Sequence, residues 1–578
     1  MSNSVYGIAL SGLNAARSGL STTSHNIANA NTVGYNRQQV IQQARPSTGS
    51  DIGFIGQGVD IASVQRVYSD FINAQEQKAT SDAAFFEAKA QQIARVDAMI
   101  ADDASGLSSA LSIFFASAQT LSTNPADLAA RQNYLSSAGT LAARFNGLNT
   151  VMDDLRVATN LKVTDTVSQL NDASSQIAAL NKQIVAAKNQ TNANGGPPND
   201  LLDQRDRLIM QLSKQVQTTR IDMGDGSVNL FLANGQPLVV KDRQFAVSTE
   251  IDPQDPKNLL VGTTNVINGQ ARLVAFEPSS LGNGALAGFL SFRQNELTEY
   301  QNTIGLLAAR IGQAVNDVQT AGVDLDLNPG GALFGFGTSG NLAVDISRVV
   351  PNVNNNTGNL TNITMRAVDL SKLSAAEYEV TISGGAPQYR VAGSTGPFTP
   401  AVALADGSGP YFEIRDAAGA PLLSFRLDNA TPTDGDTFTL MPVREAALNM
   451  RVLIDRPSEV AASSATNPSI GNNQAMLQIT ALQTSRTMYQ SNNSAGVAIS
   501  DGFNQLVSRV GNKTREFTIG AESRTAVLNQ VAESRDALQG VNMDEEAANL
   551  LRYQQAYQAS GRVISLSKEL FDQILSMF

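Results

Sequence analysis

MSNSVYGIALSGLNAARSGLSTTSHNIANANTVGY, residues 1–35, carries a heptad. Tyr6, Ala9, Leu13, Ala16, Leu20, Thr23 and Ile27 recur at alternating spacings of three and four. The far end of the chain matches it. Ala556, Ala559, Val563, Leu566, Leu570 and Met577 form one seam, and Tyr557, Ile564, Phe571, Ile574 and Phe578 form a second. A 3.5-residue repeat requires a partner helix. Each end has two candidate partners: the opposite end of its own chain, or the ends of neighbouring copies. This is the layout of a subunit that polymerises by its termini.

Between these ends the chain is too long for one core, because single cores stop growing at about 250–300 residues and the chain has 578. With 42% hydrophobic and 16% charged residues it reads as globular. A net charge of -11 and a pI near 4.8 argue against nucleic acid, where basic patches supply affinity. No run of 18 apolar residues is present to span a membrane. The first twenty residues lack a basic segment followed by a continuous apolar run, so a cleaved secretory signal is not expected. There is no cysteine, which removes disulfide and thiolate chemistry.

The first 35 residues read as one amphipathic helix ending in HNIANANTVGY, with Gly34 as a terminator. Residues 36–65 read as extended. From about 70 to 215 the pattern is helical, with a stripe of Leu170, Ala173, Ile177, Leu180, Ile184 and Ala187. GGPP at 195–198 breaks it, and Asn199 or Asp200 is expected to cap the following helix. Residues 216–277 switch to strands punctuated by Asp225-Gly226 and Asn234-Gly235. A long helix follows through Leu297, Tyr300, Ile304, Leu307, Ile311, Ala314 and Val318. Strand-like YEVTI (378–382), YFEIR (411–415), LLSFRL (422–427) and TFTLM (437–441) mark a β-rich stretch, and from about 473 the chain is helical again.

The chain thus goes out and comes back. The expectation is a nested α+β multidomain protein with coiled-coil-like terminal helices, an elongated helical bundle and an inserted β-rich outer domain. The divisions are 1–35 with 541–578, 36–325 with 446–540 carrying a small β region at 216–277, and 326–445. Closing a loop of roughly 500 residues costs about 5 to 6 kcal/mol, so the inner helices must bring the ends together. Because the terminal heptads are rich in Ala, Ser, Thr and Gly, those ends are expected to stay loose until neighbours pack on them.

Signals for chemistry are weak. GFGTSG at 335–340 fits a dinucleotide fingerprint but is followed by a strand-like segment instead of a helix. Asp324, Asp326 and Asn328 open an EF-hand spacing, yet Pro329 stands where glycine is required and Gly335 where glutamate is; a turn is the better reading. His25 has no second histidine to share a metal. Glu545 and Glu546 read as a helix first turn. Asn26, Asn29 and Asn31 fit two readings, solvated loop residues or amides that brace a rigid bend. No catalytic group, cofactor or metal is expected.

SHNIANANTVGYNRQ at 24–38 resembles the N-terminal signature of bacterial flagellar axial proteins, the rod, hook and hook-associated subunits. VNMDEEAANLLRYQQAYQASGRVISLSKELFDQIL at 541–575 resembles their C-terminal signature. NDLLDQRDRLI at 199–209, GNGALAGFLSFR at 282–293 and VNDVQTAGVDLDLNPGGALF at 315–334 are similar to members at the hook–filament junction. Many rod and hook members carry Thr-Pro-Gly-Tyr where this chain has Thr32-Val33-Gly34-Tyr35, which favours a junction member over those.

The resemblance implies a non-enzymatic subunit, exported through the flagellar type III channel and assembled into a ring-like or helical zone. Its partners would be further copies of itself, the hook protein below, the second junction protein above and a cytosolic export chaperone beforehand. Its location would be the extracellular flagellum after a cytoplasmic stage. The expected assembly interface comprises Ala9, Leu13, Ala16, Leu20, Asn26, Ile27, Asn29, Asn31, Gly34, Tyr35, Leu550, Tyr553, Tyr557, Val563, Ile564 and Leu570. The expected chaperone face comprises Val563, Leu566, Leu570, Phe571, Ile574 and Phe578. Another axial subunit, a hook or rod protein, is the alternative, followed by a secreted coiled-coil adhesin.

Overall fold

The chain's outward and return halves run side by side as antiparallel helices. In the computed structural model, helix α1 (Ser2–Asn29) lies along the last helix, α10 (Met543–Leu575). One step inward, α2 (Asp70–Ile100) lies along α9 (Ile499–Gln539). The register is antiparallel in both pairs: Gly12 faces Ser560 and Gly19 faces Tyr553, while Gly520 faces Phe86 and Arg535 pairs with Glu76. The structure describes residues 2–50, 53–100, 106–190, 196–267, 270–336, 348–352, 356, 360, 363–368, 370–394, 396–427, 431–488 and 496–576.

The extended reading of 36–65 corresponds to an antiparallel hairpin of Gln38–Ala44 with Val59–Arg66 and a small tip pair, Thr48–Ser50 with Gly53–Ile55. Inside the outer pairs sits a bundle of α3 (Leu107–Thr123), α4 (Leu128–Gln190), α5 (Asn199–Gln215), α6 (Ala285–Ser291) and α7 (Thr298–Ala321). The 63 residues of α4 make a rod of about 95 Å at 1.5 Å per residue, which gives the molecule its length. Its predicted stripe is buried as far as Ile184. The cap prediction fails in detail. Pro198 occupies the N-cap of α5 without a side-chain bond, and the Asn199 amide reaches away to the Val64 carbonyl at 3.0 Å. The hairpin carbonyl, brought within reach by the tertiary fold, takes the amide in place of the local cap.

Two small antiparallel sheets follow α5, one of Thr218–Asp222, Val228–Leu232, Pro237–Val240 and Arg243–Gln244, the other of Ser248–Asp252, Asp255–Ile267 and Gln270–Ala275. The β-rich stretch contains a five-stranded and a four-stranded antiparallel sheet. They face each other where Phe425 of the four-stranded sheet, stacked on its cross-strand neighbour Phe412, stands edge-on to Phe438 of the five-stranded one. All four strand-like pieces read from the sequence lie inside these strands.

One part of the 326–445 segment packs with the helices. Phe334–Phe336 pairs with Met450–Val452, and Phe334 lies 5.9 Å from Phe114 in the bundle core. A buried ionic cluster ties the β-rich stretch to the bundle: Arg444 bridges Asp255 and Glu377, and Arg156 beside it binds Gln301 and Asn258. Burial, with the neighbouring Arg444, pushes the Arg156 guanidinium down to about 10. The return segment is helical as read, through α8 (Gln474–Leu482), α9 and α10, with a short strand pair at Arg486–Met488 and Val497–Ala498 intervening.

Candidate assembly interface

The α1–α10 pair is thin because its contact face is made of small residues. On α1, Ala15, Ala16, Gly19 and Thr23 are buried and Gly12 faces Ser560, while Ser11 is buried against the hairpin, accepting from Val59 N at 3.1 Å. A Cβ at Gly19 would lie 2.5 Å from the Tyr553 ring, so the tyrosine reaches the α1 backbone only because residue 19 is glycine. On α10, Glu546 and Ser567 are buried, and Leu550, Tyr553 and Ile564 are half-buried.

Among the described residues this face takes only Ile564 of the second C-terminal seam, leaving Phe571 of that seam outside, and it leaves the first seam open. Val563, Leu566, Leu570 and Phe571 are 42, 57, 51 and 48% exposed. Tyr557 is also exposed. Ala9 and Ala16 are buried, Leu13, Leu20 and Ile27 half-buried, and Tyr6 exposed with Val5, Ile8 and Leu10 around it. The Ile574 side chain, Met577 and Phe578 lie outside the described residues. The structure therefore brings Leu550, Tyr553 and Ile564 against α1, and places Val563 and Leu570 on the outside.

The Asn-rich end of α1 is divided between the two readings. Asn26 acts as a piece of strand: its Nδ2 donates to the Gln38 carbonyl at 2.9 Å, and its Oδ1 accepts from Gln38 N at 2.9 Å and from the Tyr35 hydroxyl at 2.7 Å. Asn29 Nδ2 donates to the His25 carbonyl at 3.0 Å. These two brace the bend. Asn31 is exposed, as a loop residue would be. Gly34 has φ +76°, and a Cβ there would meet the Arg207 side chain, so both conformation and space select glycine. Burial, with Asp203, Asp200 and Glu546 nearby, pushes the Tyr35 hydroxyl well above its ordinary value.

Beneath this bend lies a polar hub that the sequence did not announce. Asp203 on α5 accepts from Asn36 Nδ2 at 2.7 Å, Asn36 N at 3.1 Å and Arg66 Nη1 at 2.8 Å. Asp206 accepts from Arg66 at 2.6 Å and from Arg220 at 2.9 Å. Gln539, at the end of α9, accepts from Arg37 N at 2.8 Å through its carbonyl and from Asn73 at 3.2 Å through its side chain. Glu545 pairs with Arg37 at 2.8 Å, and the Asn542 side chain caps α10 by accepting from Asp544 N at 3.0 Å. Glu545 and Glu546 do occupy the first turn. The usable signal was the acid spacing of Asp200, Asp203 and Asp206 on one face of α5, which reads equally as a solvated helix face.

The Asp324 loop is a turn: Asp324 Oδ1 accepts from Asp326 N at 2.9 Å and Asn328 N at 2.8 Å. Among the described residues no group of three or more His, Cys, Asp or Glu is placed to hold a metal ion, and no helix is long and apolar enough to cross a membrane. In GFGTSG, Gly335 and Phe336 lie in a strand, while residues 337–340 fall outside the described residues.

Paired end helices around an inserted body define the class of flagellar axial subunits. The model described as flagella basal body rod protein matches residues 8–36, and that for the C-terminal region of flagellar basal body rod FlgEFG proteins matches 538–577. The model for the helical domain of flagellar hook-associated protein FlgK matches 93–334. Flagellar hook-associated protein 1 of Salmonella typhimurium is 32% identical over all of both chains, and that of Escherichia coli K12 is 31% identical over all of both. The chain belongs to the flagellar hook-associated protein 1 family. Its fold is that of the flagellar hook junction protein FlgK from Burkholderia pseudomallei, with a TM-score of 0.69 at 23% identity over 81% of this chain and 100% of that one.

Proposed function

We propose that this chain is a structural subunit of the junction between flagellar hook and filament, and that it polymerises through α1 and α10. The observation that carries the second part is the open seam Val563, Leu566, Leu570 and Phe571, an apolar row about half exposed on a helix already paired on its other side. Monomeric proteins rarely leave such a contiguous row uncovered, and a 3.5-residue repeat finds its match in another helix. In this reading 1–35 with 541–578 form the inner wall, 36–325 with 446–540 the layer around it, and 326–445 the outer surface. The neighbours are further copies, the hook protein and the second junction protein, and the role is non-enzymatic.

The same row is an aggregation liability before export. We assign to it a cytosolic export chaperone, bound by the helix face that later packs in the wall. A pull-down comparing the full chain with a 1–540 truncation tests this: the truncation should lose the chaperone, and equal retention would place the site elsewhere. The junction role itself is tested by electron microscopy of cells lacking the protein. Hooks without filaments, with flagellin shed into the medium, are expected; intact filaments would overturn it.

A further inference from the structure

Among the described residues the terminal unit and the body share no apolar core. Both buried apolar clusters are built from residues between Ala88 and Phe517, and neither contains a residue of 1–66 or 540–578. Besides its two chain connections and the Arg37 N–Gln539 carbonyl bond at the end of α9, the unit is attached through one face of the first turns of α5. Asn199 binds the Val64 carbonyl at 3.0 Å and Gln38 at 3.2 Å. Asp200 accepts from Gln38 at 3.2 Å and lies 3.5 Å from His25. Asp203, 4% exposed, commits both oxygens to Asn36 and Arg66, Asp206 takes the same arginine, and Arg207 fills the space that only glycine leaves at position 34. Positions 199, 203 and 206, with 200 and 207 beside them, follow the spacing of a single helix face.

We infer that this face of α5 is a polar latch that sets the angle at which the α1–α10 pair leaves the body, with Asp203 as its central positioning residue. The division of labour follows from the physics. Apolar area is non-directional and supplies affinity between copies. Charge-assisted, bidentate hydrogen bonds are directional and fix geometry. A subunit that must seat its inner helices and its outer body on one lattice needs both. The latch rests on the assembly reading above, but it is tested on the monomer and so fails independently of it.

The test uses the full chain, whose lack of cysteine allows clean labelling. Spin labels at Gln558→Cys on α10 and Thr164→Cys on α4, both exposed, report the distance between terminal unit and body. With the wild-type latch one narrow distribution is expected. Asp203→Ala should broaden or shift it while the melting temperature of the body stays close to wild type, and Asp203→Glu should restore part of the narrow population. Gly34→Ala attacks the latch from the opposite side, through the clash with Arg207, and should broaden the distribution in the same way even where Asp203→Ala folds poorly. In cells both variants should be exported yet carry fewer filaments. An unchanged distribution in Gly34→Ala and in folded Asp203→Ala would overturn the inference, as would broadening that accompanies unfolding of the body to the same extent.

Discussion

Replacing Leu570 by aspartate separates what the monomer needs from what the assembly needs. The leucine is 51% exposed on α10, away from the α1 contact. In the monomer the change sits on a solvated helix face and costs roughly the helix-propensity difference, under about 0.7 kcal/mol. In the polymer the remaining half of the side chain would be covered. Full burial of a leucine contributes about 1.5–3 kcal/mol, so about 1 kcal/mol is lost for each copy. The new carboxylate weighs more: enclosed without a partner beside Glu569 and Asp572, it costs several kcal/mol. At about 1.4 kcal/mol per tenfold, the assembly threshold rises more than about a hundredfold. Circular dichroism and melting of the purified variant should match wild type, while hooks in complemented cells should lack filaments. Because Leu570 also belongs to the chaperone face, the culture medium is blotted for the variant; its presence there places the defect after export. Normal motility with normal filaments would refute the reasoning.

Gly19→Leu should disrupt the α1–α10 pair by displacing Tyr553, lowering helicity without melting the body; unchanged helicity and unchanged filament assembly would contradict the packing account. Amide exchange on the dilute monomer should find weaker protection at Leu13, Leu20, Leu566 and Leu570 than at Ile304 and Leu307, because the terminal pair, though formed in the monomer, buries mostly small side chains and opens more often; equal protection would show the pair to be as stable as the body. Deletion of 338–442, keeping Phe334 and Phe336 in the bundle, should leave a folded helical body with a lowered melting temperature, since Arg444 loses Glu377 and keeps only Asp255. A deletion starting at 330 should be worse, because it removes two core phenylalanines; equal melting temperatures would argue that the strand Phe334–Phe336 is dispensable.

Periodicity and punctuation determined a great deal here. The heptads at both ends, the stripe from Leu170 to Ile184 and the period-two strands bounded by Asp-Gly and Asn-Gly pairs are local signals, and each element formed where they lie. The return of the chain on itself was also legible, because helical ends flanking helical and then β segments leave few other ways to bury the stripes. What the sequence alone left open was partner choice. Two seams on α10 read as equally apolar, and only the docking of α1 shows that Tyr553 and Ile564 turn inward while Val563, Leu566 and Leu570 remain outside. Asn199 looked like a cap until Val64 came within reach, and Phe334 looked like part of the β insertion until Phe114 stood beside it. Asp203 and Arg66 are 137 residues apart, and nothing local distinguishes a buried latch from a solvated acidic face. Short-range patterns dictate which elements form; which of their faces meet depends on long-range burial and on polar groups finding partners, and that is decided only when the whole chain is assembled.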